Sequence, residues 1–563
     1  MSMSHDHSDF VVIGGVAAGP KTAATLARRL PTARITLFQR EERISYGTCG
    51  MPYFASGDVN SFEELTHTSY GVPRTPSFFK RTKGFDVVTR AEVINIDRTT
   101  KTLTVNNLET GETFEHGYGK LVLATGSGPN VPPFPVADSP AIRFFTRPDD
   151  AIAFRQMAQT GKIGSALIVG GGFIGCEVAE AAGSLWGIEV TLVEMEPQLL
   201  PRVLDPEMAA MVRAELIHQD VTVKTGTRIQ GIELDADGNP VAKVKDGDDI
   251  CVDYVFLCMG VHPEVSLAAK AGLTIGTFGG LVVNKHMQTS DPDIYAGGDC
   301  VESTHRLTGK PLYMPMGSLA NRHGRVIAEN LAGTPACFPE VVGTFLVKVF
   351  NANVGTVGLS EQAARRDGLP VASVWGTFPD KPDFYPEGQS VSLKMVYNPE
   401  TGDLLGLQAI GLGDICRRID VFATFLHNRA TVEDLLDFEH GYAPPYSEAL
   451  DPLHHLAGMA RARKAGMDFL SPGTEIAGLG ENVVLLDVRE NDEVASEPWH
   501  VDRPVINIPL DDLRERAGEL DRDREIVIIC KRGPRSYQAA LILKSAGFSN
   551  VRVMGGGVTG LAY

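Results

Sequence analysis

Residues 165–175 read SALIVGGGFIG, and residues 189–194 read EVTLVE. The opening apolar run is a buried strand, and Gly170-Gly171-Gly172-Phe173-Ile174-Gly175 matches G-x-G-x-x-G where that strand gives way to a helix. Each glycine has its own task. Gly170 allows the tight turn, Gly172 lets the backbone approach a pyrophosphate, and Gly175 lets helix and strand pack closely. The first turn of the helix then offers free N–H groups to phosphate oxygens. Glu194 ends the next strand, 24 residues after Gly170. A carboxylate there accepts from the ribose 2′-OH and repels a 2′-phosphate, so the unit is expected to take NADH rather than NADPH.

The same grammar stands nearer the start. Residues 10–13 (FVVI) run into Gly14-Gly15-Val16-Ala17-Ala18-Gly19, then a helix rich in Ala and Arg, then residues 34–38 (RITLF). Val16 replaces the middle glycine, and the ribose position falls on Gln39. Two such βαβ units form a coarse internal repeat. Residues 120–126 (KLVLATG), 254–260 (YVFLCMG) and 294–299 (IYAGGD) read as buried strands ending at turns. From about residue 341 to 456, strands and amphipathic helices alternate without glycine fingerprints. Residues 461–475 (RARKAGMDFLSPGTE) turn polar and irregular, a linker signal. A compact α/β pattern follows: NVVLLDV, INIP, EIVIIC, a helix over RSYQAALILKSAG, and NVRVM.

At about 150 residues per domain, 563 residues make roughly four domains. The formal net charge of −18 disfavours nucleic acid while leaving room for a local basic pocket. No run of about 18 apolar residues appears, so no membrane span is expected. Residues 1–9 (MSMSHDHSD) lack the charged and apolar regions of a targeting signal and read as a polar tail. His5 and His7 within it could hold a stray metal, but a disordered tail is the expected reading. The eight cysteines form no CxxC pair, which argues against a disulfide framework or zinc site and for a reducing, cytoplasmic setting.

Ala124-Thr125-Gly126 and Gly297-Gly298-Asp299 resemble the paired segments with which two-dinucleotide flavoprotein reductases hold FAD, Asp299 accepting from a ribitol hydroxyl. With the two glycine turns, they make residues 9–456 resemble the pyridine nucleotide–disulfide oxidoreductase family. The implied architecture is α/β. It has two Rossmann-like dinucleotide-binding domains (FAD and NAD), an α+β dimerisation domain and a C-terminal rhodanese α/β domain. The expected boundaries are 1–150 and 259–335 for FAD, 151–258 for NADH, 336–456 for dimerisation, 457–475 for a linker and 476–563 for rhodanese. Gly14, Gly19 and Gln39 would serve FAD with the paired segments, and Gly170, Gly172, Gly175 and Glu194 would serve NADH.

Ser45-Tyr46-Gly47-Thr48-Cys49-Gly50-Met51-Pro52-Tyr53 resembles the redox-cysteine segment of the coenzyme A disulfide reductases. A lone cysteine cannot store two electrons as an internal disulfide. Its partner must be a mixed disulfide, a persulfide or a sulfenic acid. The thiolate reacts, so a lowered pKa is needed, from flavin contact and a helix N-terminus. Peroxide and oxygen reductases of the family usually carry a histidine where Ala17 stands, which argues against that activity. Tyr442-Ala443-Pro444-Pro445-Tyr446-Ser447 resembles the end of the dimerisation domain, where a tyrosine reaches the other subunit's site. Tyr442 would polarise or protonate the leaving thiolate. Upstream, a family tyrosine pair appears as Phe384-Tyr385, and a lysine common after the Pro-Pro segment is Leu450. Coenzyme A contacts implied by the resemblance are Arg28, Ser45, Thr48 and Lys83.

Asp487-Val488-Arg489 and Cys530-Lys531-Arg532-Gly533-Pro534-Arg535-Ser536 resemble a rhodanese's opening strand and sulfur-carrying loop. The loop aims several N–H groups at one sulfur, with Arg532 and Arg535 adding positive charge, so Cys530 is expected to sit as a thiolate and hold a persulfide. The usual rhodanese stretch around Trp499-His500-Val501 is degraded, and the usual terminal aromatic is replaced near Val558-Thr559-Gly560. Cys176, Cys251, Cys258 and Cys300 read as small hydrophobes, and Cys337 and Cys416 show no partner. His454-His455 reads as part of a helix face.

Together these make an NADH-dependent flavoprotein that reduces persulfide, polysulfide or coenzyme A persulfide and disulfide, with sulfane sulfur handled at Cys530. Coenzyme A disulfide reduction proper and NADH oxidase or peroxidase activity are the alternatives. A homodimer is expected.

Overall fold

Strand Asp6–Ile13 lies between Ile35–Phe38 and Thr113–Leu123, parallel to both. Val11, Val12, Leu37, Leu121 and Val122 are fully buried. Helices cover both faces of such a sheet, which is why its strands read as unbroken apolar runs. The computed structural model describes residues 6–471, 474–499, 501 and 503–561. The expectations placed on His5 and His500, and on 472 and 473 of the linker, fall outside the described residues. The chain divides into two compact units, residues 1–195 with 227–341, and residues 196–226 with 342–563.

In the first unit, Ile294–Ala296 pairs in parallel with Thr113–Leu123, setting Ala296 beside Leu123. The glycine turn after Ile13, the turn after Leu123 and the turn after Ala296 therefore open at the same carboxyl edge, the place where open α/β sheets bind ligands. A second parallel sheet runs Glu189–Val193, Ser165–Val169, Tyr254–Leu257, Ile142–Phe144. The first strand begins at Asp6 rather than residue 10, so His7 belongs to the sheet and not to a tail. Polar partners explain the miss: buried Ser8 Oγ lies 2.7 Å from Thr36 Oγ1 and 3.0 Å from His116 Nε2.

In the second unit, five antiparallel strands run Thr344–Val349, Ala352–Gly358, Leu404–Gly411, Ser390–Tyr397, Ala372–Pro379. Buried Lys394 ties helix Pro206–His218 to this sheet. Its ammonium lies 3.0 Å from Asp205 and 3.0 Å from Glu361, and also pairs with Glu207. These three carboxylates are grouped closely enough to hold a metal ion, but the ammonium already neutralises them.

Residues 457–475, expected as an irregular linker, are structured over most of their described length. Helix Pro452–Lys464 buries Leu453, Leu456, Ala457 and Ala460 at helical spacing. Strand Asp468–Leu470 then pairs with Val551–Met554. Arginines on the helix's outer face hid its period. The strand opens a parallel sheet ordered Asp468–Leu470, Val551–Met554, Ile526–Ile529, Val484–Asp487, Val505–Asn507.

Trp375, only 1% exposed, joins the two sheets of this unit. A methyl on Gly556 or Gly560 would lie 2.3 or 2.4 Å from its ring. The indole thus fills space beside the segment from which the terminal aromatic is missing. Truncating so buried an aromatic costs about 3–5 kcal/mol. Trp375→Ala is expected to lower the denaturation midpoint of the full chain accordingly, and an unchanged midpoint would refute the joint.

Burial raises the Glu361 carboxyl, but Lys394, Ser373 and Arg365 outweigh it and hold it at about 2. An unfolded glutamate titrates near 4.3. Its contribution is fully present above about 4.3 and fades as pH falls toward about 2. Thermal melts between pH 5 and 2 should show a wild-type advantage over Glu361→Gln that shrinks through this window.

Candidate active site

The two glycine turns repeat one another atom for atom. Gly14 has φ +106° and Gly170 φ +114°, where a side chain is strained. A methyl on Gly19 would lie 1.9 Å from the Gly14 carbonyl oxygen, and one on Gly175 would lie 1.9 Å from that of Gly170. Only glycine permits this crossing of helix over strand. Nothing lies within 4 Å of where a Gly172 side chain would point, so a phosphate has room against the backbone. The Gly171 N–H donates to Glu194 Oε2 at 2.7 Å, and the Gly15 N–H donates to Gln39 Oε1 at 2.8 Å. Gln39 thus does for the first turn what the carboxylate does for the second.

The paired segments meet beside the first turn. Ala124 N–H donates to Ile13 O at 2.8 Å, and Gly297 N–H to Leu123 O at 3.0 Å. Thr125 Oγ1 donates to Glu264 O at 2.5 Å, and Gly126 has φ +77°. Burial pushes the Asp299 carboxyl up against a single hydrogen bond from Ser127 Oγ at 3.3 Å. A half-buried carboxylate so thinly partnered fits a hydroxyl donor such as a ribitol. His323 accepts from Gly298 N–H through Nδ1 at 3.2 Å, and its Nε2 is buried without a partner. These residues fit FAD on the first turn and a nicotinamide nucleotide on the second.

Cys49 stands in a single 3₁₀ turn, Thr48–Gly50, ahead of the short helix Met51–Ser56. A methyl on Gly317, the first residue of helix Gly317–Leu331, would lie 3.9 Å from its Sγ. That 15-residue helix brings its positive end to the sulfur. The protein's own neighbouring groups act in the opposite direction. Burial, then Glu177, then Asp299 push the thiol up. Glu177 was missed by sequence reading, although it lies two residues past Gly175 on the same helix. Burial and Glu180 push its own carboxyl up to about 7.

Of the expected coenzyme A contacts, Arg28 and Lys83 belong to packed neighbours, helix Ala18–Arg29 and the turn Phe79–Lys83. Ser45 has φ +53°, and its N–H donates to Gly15 O at 2.7 Å. Arg74, also missed, donates to Ser45 O at 2.6 Å, which brings a cation to this segment. Thr48 is exposed.

In the second unit, Tyr442 is 52% exposed, with Phe384, Tyr446 and Leu450 more so. Cys530 follows strand Ile526–Ile529, and its Sγ accepts the Gly533 N–H at 3.1 Å. Val558 N–H donates to Cys530 O at 2.9 Å, pinning the loop. The positive charge expected from the arginines is offset. Arg535 makes a two-pronged pair with Glu493 at 2.5 and 2.7 Å, and Arg532 pairs with Asp383 at 2.8 Å. Arg–carboxylate geometry favours such bidentate pairing.

Among the other cysteines, Cys176, Cys258 and Cys300 are buried, while Cys251 is exposed and is no core residue. Its strand, Ile250–Cys251, is two residues long and ends its sheet, which leaves the side chain in solvent. Cys337 Sγ lies 3.8 Å from His286 Nδ1.

Residues 8–317 match the pyridine nucleotide-disulphide oxidoreductase model, 344–454 match that family's dimerisation domain, and 476–562 match a rhodanese-like domain. The chain belongs to the pyridine nucleotide-disulphide oxidoreductase family. An NAD-dependent persulfide reductase from A. fulgidus superposes with a TM-score of 0.93 at 37% identity, covering 98% of this chain and 99% of that one. An NAD(P)H sulfur oxidoreductase (CoA-dependent) from Pyrococcus abyssi is 33% identical over 79% of this chain and 97% of its own length. A protein named NADH oxidase from Methanocaldococcus jannaschii is also 33% identical, over 79% of this chain and 96% of its own. The family uses FAD and NAD(P)H. Among the described residues, no helix is long and apolar enough to cross a membrane.

Glu177→Gln removes a charge that raises the Cys49 thiol. The pH profile of Cys49 alkylation, followed by mass spectrometry of its peptide, is therefore expected to move to lower pH. A profile that stays in place would remove Glu177 from the site.

Proposed function

We propose that this protein is an NADH-dependent persulfide and polysulfide reductase, coenzyme A persulfide included, with sulfane sulfur carried on Cys530. The observation that carries the reading is the solitude of Cys49. It is the one cysteine before residue 176, and no disulfide involves it. Its exchange partner must come from outside the reductase fold, and a rhodanese domain that keeps its cysteine can supply one.

Bound NADH and FAD supply the electron pair for the reduction, with Gly170, Gly172, Gly175 and Glu194 holding the first, and Gly14, Gly19, Gln39, Ala124, Thr125, Gly126 and Asp299 the second. The Cys49 thiolate attacks one sulfur of an S–S bond, and the other sulfur leaves as thiolate or hydrosulfide. Reduced by two electrons, a mixed disulfide on Cys49 would release the second thiol and a persulfide would release hydrosulfide, each restoring the Cys49 thiolate. Tyr442 protonates the leaving thiolate from the other subunit of a homodimer. The exposed apolar residues Phe384, Tyr442, Tyr446 and Leu450 support such an interface. At Cys530, Arg535 braces the sulfur-carrying loop. Eight free thiols fit a reducing, cytoplasmic setting.

Coenzyme A disulfide reduction proper is the second reading, favoured by the cations Arg28 and Lys83 on packed neighbouring elements and by Ser45 and Thr48 of the redox segment. NADH oxidase or peroxidase activity is disfavoured by Ala17 in the first turn.

The test is anaerobic NADH oxidation with coenzyme A persulfide, coenzyme A disulfide, glutathione persulfide and polysulfide, measuring hydrosulfide. Cys49→Ser should lose at least a hundredfold in NADH-dependent sulfide release while retaining bound flavin. Retained sulfide release would overturn the mechanism, and faster turnover with peroxide than with any sulfur substrate would overturn the class.

A further inference from the structure

The Cys530 loop carries three cations, and the structure places a carboxylate against every one. Lys531 Nζ lies 4.0 Å from Glu497, Arg532 Nη1 2.8 Å from Asp383, and Arg535 2.5 Å from Glu493. A fourth acid, Glu448, also faces this corner: after burial, Asp383 raises its carboxyl and Arg532 lowers it. Glu490 acts on Arg535 as well, so the three cations are outnumbered by carboxylates and the rim of the cradle carries excess negative charge. The hydrogen bond that the sulfur accepts comes from an uncharged donor, the Gly533 N–H at 3.1 Å.

Three of these carboxylates bear on specificity in different ways. Glu493 and Glu497 lie within the rhodanese domain itself. Asp383 comes from the dimerisation domain, on a loop braced from below. Buried Asp380 accepts Gln389 N–H at 2.8 Å and Asp414 N–H at 3.1 Å, and Tyr385 N–H donates to Pro382 O at 2.8 Å. The carboxylate that neutralises Arg532 is thus held in place by another domain.

We propose that Asp383 sets the donor specificity of the Cys530 cradle, selecting organic persulfides with uncharged tails over dianionic thiosulfate. The proposal rests on the reading of Cys530 as a sulfur carrier. With either donor, the Cys530 thiolate attacks the sulfane sulfur and the S–S bond of the donor breaks. A persulfide leaves as its thiol, and thiosulfate leaves as sulfite, each taking the bonding electron pair. Cyanide then removes the sulfur as thiocyanate and restores the thiolate. Thiosulfate brings two negative charges to a rim whose cations are already matched, whereas a persulfide on an uncharged alkyl tail meets little repulsion. Asp383 is a positioning residue: it acts through Arg532.

The test is thiocyanate release by the flavin-loaded full-length protein, from thiosulfate and from an uncharged-tail alkyl persulfide. Wild type is expected to prefer the persulfide at least tenfold in kcat/KM. Asp383→Asn unmasks one partly buried cation, so thiosulfate kcat/KM should rise about three- to tenfold at low ionic strength, mostly through KM. The gain should vanish near about 0.5 M salt, where the screening length is only a few Å. The persulfide value should stay within twofold, and adding Arg532→Gln should cancel the gain. An unchanged thiosulfate value in Asp383→Asn, or an equal rise for both donors, overturns the assignment. Cys530→Ser separates the two levels. If it leaves persulfide transfer intact, the carrier reading falls and the proposal with it. If transfer is lost but Asp383→Asn has no effect, only the specificity assignment falls.

Discussion

Two carbonyl oxygens, those of Gly14 and Gly170, stand where a methyl on the crossing helix would have to go, 1.9 Å away in each case. No side chain can relieve that approach, because both sides are backbone. Each helix is therefore held over its strand at a fixed separation, and its free N–H groups are fixed with it. The dinucleotide crevices, the position of Glu177 on the second helix and the geometry around the turn after Leu123 all follow. Gln39 belongs to the same constraint. Its amide oxygen braces the Gly15 N–H just as Glu194 braces Gly171. At the first turn, bracing needs an acceptor, not a charge.

The electrostatics at the two sulfurs share a theme. Burial and the carboxylates Glu177 and Asp299 oppose the thiolate of Cys49, while the end of helix Gly317–Leu331 favours it. Around Cys530, each cation has an acid partner. The hydrogen bond to the Cys530 sulfur comes instead from a neutral donor, the Gly533 N–H. A neutral donor does not attract charge from a distance, so the cost of bringing a charge to such a site is not offset there.

The sequence made the glycine turns, the paired segments and the core of the rhodanese sheet legible because their signals are local. A turn, a helix start and an acid one strand later lie within about 25 residues, and the spacing alone states the chemistry. Glu177 was within reach of the same reasoning but carries no signal until burial and Glu180 are seen around it. Lys394, Trp375 and Asp383 could not be read. Their partners lie between 33 and 189 residues away, at Asp205, Glu207, Glu361 and Arg532 and in the glycines at 556 and 560. Residues 457–475 do fall between the dimerisation and rhodanese matches, but the irregularity expected of them failed for another reason. Helix Pro452–Lys464 buries mostly alanine and leucine while its last turn is basic, so its charge was more visible than its period.

Trp375 shows why the rhodanese domain here depends on its neighbour. Segment 555–560 touches the indole on one side and the Cys530 loop on the other. A methyl on Gly557 would lie 2.4 Å from Cys530 O, and Thr559 N–H donates to Lys531 O at 3.0 Å. Gly556 and Gly557 both have positive φ, at +73° and +61°, so this segment can take that path only as glycine. The Cys530 loop is thereby shaped from behind by a tryptophan of the antiparallel sheet, and its Arg532 is paired from the side by Asp383 of the same domain. The indole fills the space beside Gly556 and Gly560 that the missing terminal aromatic leaves, so the path of the loop depends on a residue outside its own domain.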